Sequence, residues 1–226
     1  MLHIGIMTVP PRRELARRLK ESILNSFVSC DMNYPERGPW FNWRNTAQQA
    51  VSRGATHVLV LQDDAILCRD FSANLASVLR CVVDEPLSLY LARPRLVTLA
   101  KQLGTNLLGM YGVPSALALL FPTWLVKQAI DWIDRHENTG LWSALDHDDA
   151  RLNTWSSHTR RRIVHCCPSL VDHDVSVPST LGHRMHAGTP AFLAGGNVTW
   201  GVVQESGLML RRNSRTGFMD LKRDRG

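Results

Sequence analysis

A short apolar run that ends abruptly in two acids constrains this chain more than any other stretch. His57-Val58-Leu59-Val60-Leu61 is followed by Gln62-Asp63-Asp64. The run is rich in Val and Leu and follows Gly54, so it reads as a fully buried strand of a mostly parallel sheet. Ligands of open α/β sheets sit at the carboxyl ends of such strands. Two ionised carboxylates there repel each other and resist burial unless something positive covers them. A divalent cation with oxygen ligands, and behind it a phosphate, answers that need. A solvated turn is the plainer alternative, because Asp-Asp is also ordinary turn chemistry.

The remaining chain reads as strands alternating with helices. His3 to Val9 is a first strand, closed by Pro10-Pro11, with Arg12 and Arg13 next. Leu15, Leu19, Ile23, Leu24 and Phe27 give Glu14 to Phe27 the spacing of a helix with one buried face. Ser29 to Met32 reads as a second short strand. Tyr34 to Trp43 reads as an aromatic loop, and Asn42 to Arg53 as the helix that leads into the central strand. Trp43, Arg44 and Asn45 would then lie near a helix start, which favours anions. Asn74 to Cys81 is helical and Leu87 to Ala92 a strand; Leu96 to Leu108 fits either, and Gly109 to Pro114 is a loop. Ala116 to Phe121 is a buried strand, and Thr123 to Arg135 an amphipathic helix that Thr123 can cap.

A second acidic cluster, Asp146-His147-Asp148-Asp149, opens a further helix running through Leu152 and Trp155. Acids at the positive end of a helix need no other explanation for one or two of them. Ile163 to Cys167 reads as a last strand, followed by Pro168 to His183 with His173 inside it. From Arg184 periodicity fades, and Arg211 to Gly226 is a basic stretch expected to be mobile. The expected organisation is one α/β domain over residues 1–183 and a C-terminal extension over 184–226.

The net charge is +6, carried almost wholly by arginine, since only Lys20, Lys101, Lys127 and Lys222 are lysines. Arginine forks suit phosphates, which makes a phosphate-rich ligand or nucleic acid the expected partner. The five cysteines show no CxxC spacing and read as free thiols of a reducing compartment. No leader-like start and no long apolar run is present, so a cytoplasmic location without a membrane span is expected. Walker, HExxH and zinc-type motifs are absent.

Acids after a central strand, acids opening a later helix and a histidine after the last strand can hold a cation, place a diphosphate and supply a base. In this order the segments Thr8-Val9-Pro10 with Arg12, HVLVLQDDA, ALALLFP, LDHDDARLNTW and PSLVDHDVSVPSTLGH resemble a known pattern. The chain resembles GT-A fold (Rossmann-like) glycosyltransferases of bacteria and phages that carry the lipopolysaccharide or procollagen-galactosyltransferase type of motif. The resemblance covers Ile4 to His183, and Pro-Ser-Leu-Val-x-His with the Ser-x-Leu-Gly turn is its most specific part.

The resemblance implies a mostly parallel central sheet flanked by helices, a UDP- or GDP-sugar donor and a Mn²⁺ or Mg²⁺ ion. Asp64 and His173 match the metal ligands, and Asp63 the acid that touches ribose or donor sugar. Asp148 or Asp149 matches the acid that deprotonates the acceptor hydroxyl in inverting members. Thr8, Val9, Pro10, Arg12 and Arg44 fall to the nucleotide pocket. Gln62 stands where relatives often carry an acid, which leaves Asp64 as the main carboxylate. The expected acceptor is a hydroxymethylated base in phage DNA, held through Arg160 to Arg162 and Arg211 to Arg225, which would place the enzyme in the host cytoplasm. A lipopolysaccharide or other saccharide is the alternative acceptor. A metal-dependent nuclease and a non-catalytic nucleic-acid-binding module are the alternative functions.

Overall fold

The computed structural model describes residues 1–141, 147–178, 188–212 and 219–223. In chain order it shows β1 (Leu2–Thr8), a 3-10 turn (Pro10–Arg12), α1 (Arg13–Glu21), β2 (Ser26–Cys30), α2 (Gly38–Ser52), β3 (His57–Gln62) and β4 (Ala65–Leu67). There follow α3 (Phe71–Cys81), β5 (Leu87–Ser88), α4 (Pro94–Gln102), β6 (Leu107–Tyr111), β7 (Ala118–Pro122) and α5 (Thr123–Arg135). The chain ends with α6 (Asp148–Thr159), β8 (Ile163–Cys166), β9 (Val171–His173), β10 (Gln204–Arg212) and β11 (Met219–Arg223).

Nine strands form one sheet in the order β11-β10-β6-β8-β5-β7-β3-β1-β2, while β4 and β9 make a separate two-stranded ribbon. The class is α/β, as expected, but the sheet is mixed. Only β2-β1-β3 is a run of adjacent parallel strands. Elsewhere parallel pairs (β5 with β8, β6 with β10) alternate with antiparallel ones.

The apolar run behaves as its composition dictates. Along β3, Leu59 and Leu61 point into one apolar cluster and Val58 and Val60 into another. Side chains alternate across a strand, so a strand covered on both faces must be apolar throughout. Each such side chain contributes about 1.5–3 kcal/mol on burial. The second cluster holds a chain of aromatic contacts: Trp40 on Trp43 at 5.5 Å, Trp43 against Phe121 at 5.7 Å, and Phe121 against Trp155 at 5.9 Å. These rings tie α2, β7 and α6 together. Trp40 and Trp43 therefore serve the core, and residues 38–43 are helix rather than loop. Gly38, at φ +71°, makes the turn and Pro39 starts the helix.

Four further expectations are corrected. The helix after β1 stops at Glu21, because Ser22 and Asn25 (φ 57°) turn the chain into β2, and Leu24 is left 89 % exposed. The second strand is Ser26–Cys30 and not 29–32, and residues 107–111 are strand rather than loop. The stretch beyond residue 184 contributes two strands to the same sheet. β10 pairs in parallel with β6, and β11 pairs antiparallel with β10, so 204–212 and 219–223 complete the sheet instead of forming a mobile tail. Among the described residues no helix is long and apolar enough to cross a membrane.

Candidate active site

Because β1, β2 and β3 are parallel and in register, their carboxyl ends share one edge. Thr8 stands beside Cys30, and Met7 beside Gln62. At or just beyond these ends stand Thr8, Asp31 and Asp63-Asp64, so three strand ends deliver polar groups to one place.

Asp63 and Asp64 are both buried. Arg12 answers their charge. Its Nη1 donates to Asp63 Oδ1 at 2.9 Å, and its Nη2 to Asp64 Oδ2 at 2.8 Å and to the Pro178 carbonyl at 3.1 Å. The 3-10 turn places this arginine, with Arg12 N–H bonded to the Val9 carbonyl at 2.9 Å. Thr8 Oγ1 donates to the other oxygen of Asp63 at 2.5 Å. Burial nevertheless pushes the Asp63 carboxyl up to about 6, against the downward pull of Thr8 and Arg12 and with a further push from Asp64.

The β4–β9 ribbon brings in the histidine. Ala65 pairs with His173, and the Asp174 N–H donates to the Asp64 carbonyl at 2.9 Å. The ribbon leaves His173 Nε2 at 3.4 Å from Asp64 Oδ2. Residues 109 positions apart in sequence are thus joined by three rungs of backbone pairing.

Asp148 reaches the same place from the first turn of α6. It is buried, and with Thr8, Val9, Arg12, Tyr34, Asn42 and Asp63 it lines a cavity of about 70 Å³. Its Oδ1 accepts the Asp149 N–H at 3.0 Å, while its Oδ2 has no hydrogen-bond partner. Burial, followed by the charge of Asp149, pushes the Asp148 carboxyl up to about 7. A carboxylate there is poised to take a proton near neutral pH. Asp149 is only half-buried and accepts the Ala150 N–H at 2.7 Å. The structure thereby separates two acids that sequence left equivalent.

The other expected site residues divide. Val9 lines the cavity, whereas Pro10 sits half-buried in the 3-10 turn and is not among the lining residues. Arg44 does not reach the cavity; it pairs with Asp134 of α5 at 2.9 Å. Asp146, His183, His186 and the Ser-x-Leu-Gly turn lie outside the described residues.

Of two residues that sequence reading passed over, Asn42 lines the cavity and Asp31 lies behind it, bonded to the Thr8 backbone. Asn42 donates to the Thr8 carbonyl at 2.9 Å, and its Oδ1 is buried without a partner. Asp31 follows β2 and is 3 % exposed; its N–H donates to the Thr8 carbonyl at 3.0 Å, and its Oδ2 also lacks a partner. An acid at the end of the second strand was the available signal. Placing that strand at 29–32 hid Asp31 inside it.

By residue type, Asp63, Asp64 and His173 are carboxylate and imidazole groups of the kind Mn²⁺ accepts. Asp64 Oδ1 is buried and has no hydrogen-bond partner. Among the described residues, though, no three such side chains stand together at ligating spacing. In this structure Arg12 holds one oxygen of each acid. The cavity has room for about two waters, taking ~30 Å³ for each.

No protein-family model and no curated protein matches the chain.

Proposed function

We propose that the chain is a GT-A type glycosyltransferase that moves a sugar from a nucleotide-sugar to a hydroxyl acceptor. One observation carries this reading: a buried carboxylate with its proton affinity raised to about 7, Asp148, shares a cavity with the Arg12–Asp63 pair at the carboxyl edge of three parallel strands. That juxtaposition supplies a base and a diphosphate anchor side by side.

Each residue then has a role. Val9 and Asn42 face the nucleoside. The unpartnered Oδ1 of Asn42 accepts from ribose hydroxyls or base N–H groups. Thr8 fixes Asp63. Arg12 offers its fork to the diphosphate. Asp64 and His173 would hold a divalent cation, which when bound offsets the charge that builds on the leaving phosphate. Asp148 takes the acceptor proton as the acceptor oxygen bonds to the sugar C1 and the C1–O bond to the β-phosphate breaks. The nucleoside diphosphate departs with that electron pair.

For the acceptor we propose a hydroxymethylated DNA base, on the strength of the +6 net charge. The basic run supports this less than its composition suggests. Arg162 is engaged by Glu85 and Glu205. Arg160 and Arg161 lie past the far end of α6, roughly 18 Å of helix rise from Asp148. That observation favours a saccharide acceptor as the second reading. Incubating the full chain with donor and each acceptor tests both. Transfer to modified DNA supports the first reading, transfer only to saccharide supports the second, and plasmid cleavage with Mn²⁺ would replace the transferase with a nuclease.

A further inference from the structure

Helices α5 and α6 run antiparallel. Trp124, in the first turn of α5, lies under the guanidinium of Arg161, just past the end of α6, with 5.7 Å between ring centroid and Cζ. Two turns further along α5, Trp132 meets His158 of α6 at 5.7 Å. Glu137, beyond the end of α5, pairs with Arg151 near the start of α6. The seam between the helices thus runs from Arg161 towards the α6 end that carries Asp148. Its charge is positive. Along α5 and residues 151–161, Lys127, Arg135, Arg151, Arg160 and Arg161 stand against Asp131 and Asp134, and Arg44 takes Asp134. Its two indoles are separated by about 12 Å of helix rise. Trp132 packs against the core and stacks on His136 at 4.1 Å. Trp124 joins none of the apolar clusters of the described residues and is 43 % exposed. Packing gives no reason for an indole there.

We propose that this seam docks single-stranded nucleic acid. Unpaired bases stack on Trp124 and on the guanidinium plane of Arg161, and the phosphates between them meet Arg161 and the exposed Lys127 and Arg135. Aromatic rings and guanidinium planes stack on any base while basic side chains follow the backbone, so such a surface binds without reading sequence. A duplex cannot use it in the same way, because its bases are already stacked on each other. Arg161 and Trp124 are in contact before any ligand arrives, which lowers the ordering entropy that binding must overcome. Docking goes beyond the transferase reading and does not depend on it. Within that reading, a strand held along the seam is led from Arg161 towards Asp148, across the distance that separates the arginines from the base.

The test is fluorescence anisotropy of a labelled oligothymidylate with the full chain at low salt, repeated with the oligonucleotide annealed to its complement and with heparin as competitor. The single strand is expected to bind more tightly than the duplex and to quench tryptophan fluorescence. Trp124→Ala should weaken binding roughly tenfold, as loss of one stacked base does, and Trp124→Phe should restore most of it. Arg161→Gln should weaken binding and flatten its salt dependence. Lys20→Gln, on the exposed side of α1, should leave it unchanged. Melting temperatures show whether each variant is folded, and Arg161→Gln serves if Trp124→Ala is not. No binding at low salt, or equal binding by the parent and a folded Trp124→Ala, overturns the proposal. So does equal weakening in Lys20→Gln and Arg161→Gln, which would make the attraction diffuse charge. A preference for duplex or for heparin would assign the seam to another polyanion and overturn it too. If the oligonucleotide docks as expected and no nucleoside diphosphate raises the melting temperature, docking stands and the transferase reading fails. If a diphosphate raises it and no oligonucleotide binds, the reading stands and docking fails.

Discussion

Replacing Asp148 by Asn should stabilise the protein at alkaline pH while removing its activity. The carboxyl is buried, one oxygen has no partner, and its proton affinity rises from the ordinary 3.8 to about 7. The folded state therefore holds this proton more tightly than the unfolded chain does. Its contribution is favourable at low pH and is lost as pH rises from about 4 through 7. At about 1.4 kcal/mol per pH unit, the gap amounts to about 4 kcal/mol above pH 8. Asparagine keeps the oxygen that caps Asp149 and carries no charge, but its amide N–H groups enter a site without partners, costing about 1–3 kcal/mol. A net gain of about 1–3 kcal/mol is expected at pH 9, and none or a loss at pH 5. Urea unfolding of both proteins at the two pH values measures it. Transfer should fall by about 10²–10⁴ if Asp148 is the base. The parent's turnover should rise with pH through about 7, as the carboxyl loses its proton. An equal difference in stability at pH 5 and pH 9 would refute the burial argument.

Asp64→Ala and His173→Ala should each abolish metal-dependent transfer or donor hydrolysis, and full activity in either would remove that residue from the site. Gly5→Ala should cost about 1–3 kcal/mol in urea unfolding, because its Cβ would meet the Thr46 methyl and lie 2.9 Å from the Phe27 ring. An unchanged midpoint would show that α2 packs on β1 more loosely than described. DNA binding, if it is the acceptor mode, should weaken steeply between low and moderate salt; a salt-independent affinity, or none at low salt, would leave the saccharide.

The sheet centre was legible because burial on both faces leaves few options. The run His57–Gln62, the strand ending at Pro122 and the helix Thr123–Arg135 show strong patterns of period and punctuation. Mixed strand direction was not legible, since an antiparallel β7 between β3 and β5 depends on crossovers rather than on composition. The two C-terminal strands escaped for another reason. Arg211, Arg212, Lys222 and Arg223 look solvated, yet β10 and β11 sit at one border of the sheet, where charged strands are expected. At the site, Asp63, Asp64 and Asp148 were visible as acids at element ends. That one arginine spans the first two, and that Asp148 is buried while Asp149 is only half-buried, depends on tertiary geometry. A helix start suggested an anion for Arg44, whereas its partner in the fold is Asp134 of α5.

In the proposed function this site binds a nucleoside diphosphate or its sugar. The most direct measurement is the melting temperature of the full chain against uridine, guanosine and other nucleoside diphosphates and nucleotide-sugars, each with and without Mn²⁺. Ligand that binds only the native state raises the melting temperature by mass action. The account expects one nucleotide to raise it, and to do so more with Mn²⁺ present. No rise with any member of the panel, at concentrations up to millimolar and with metal present, would contradict it.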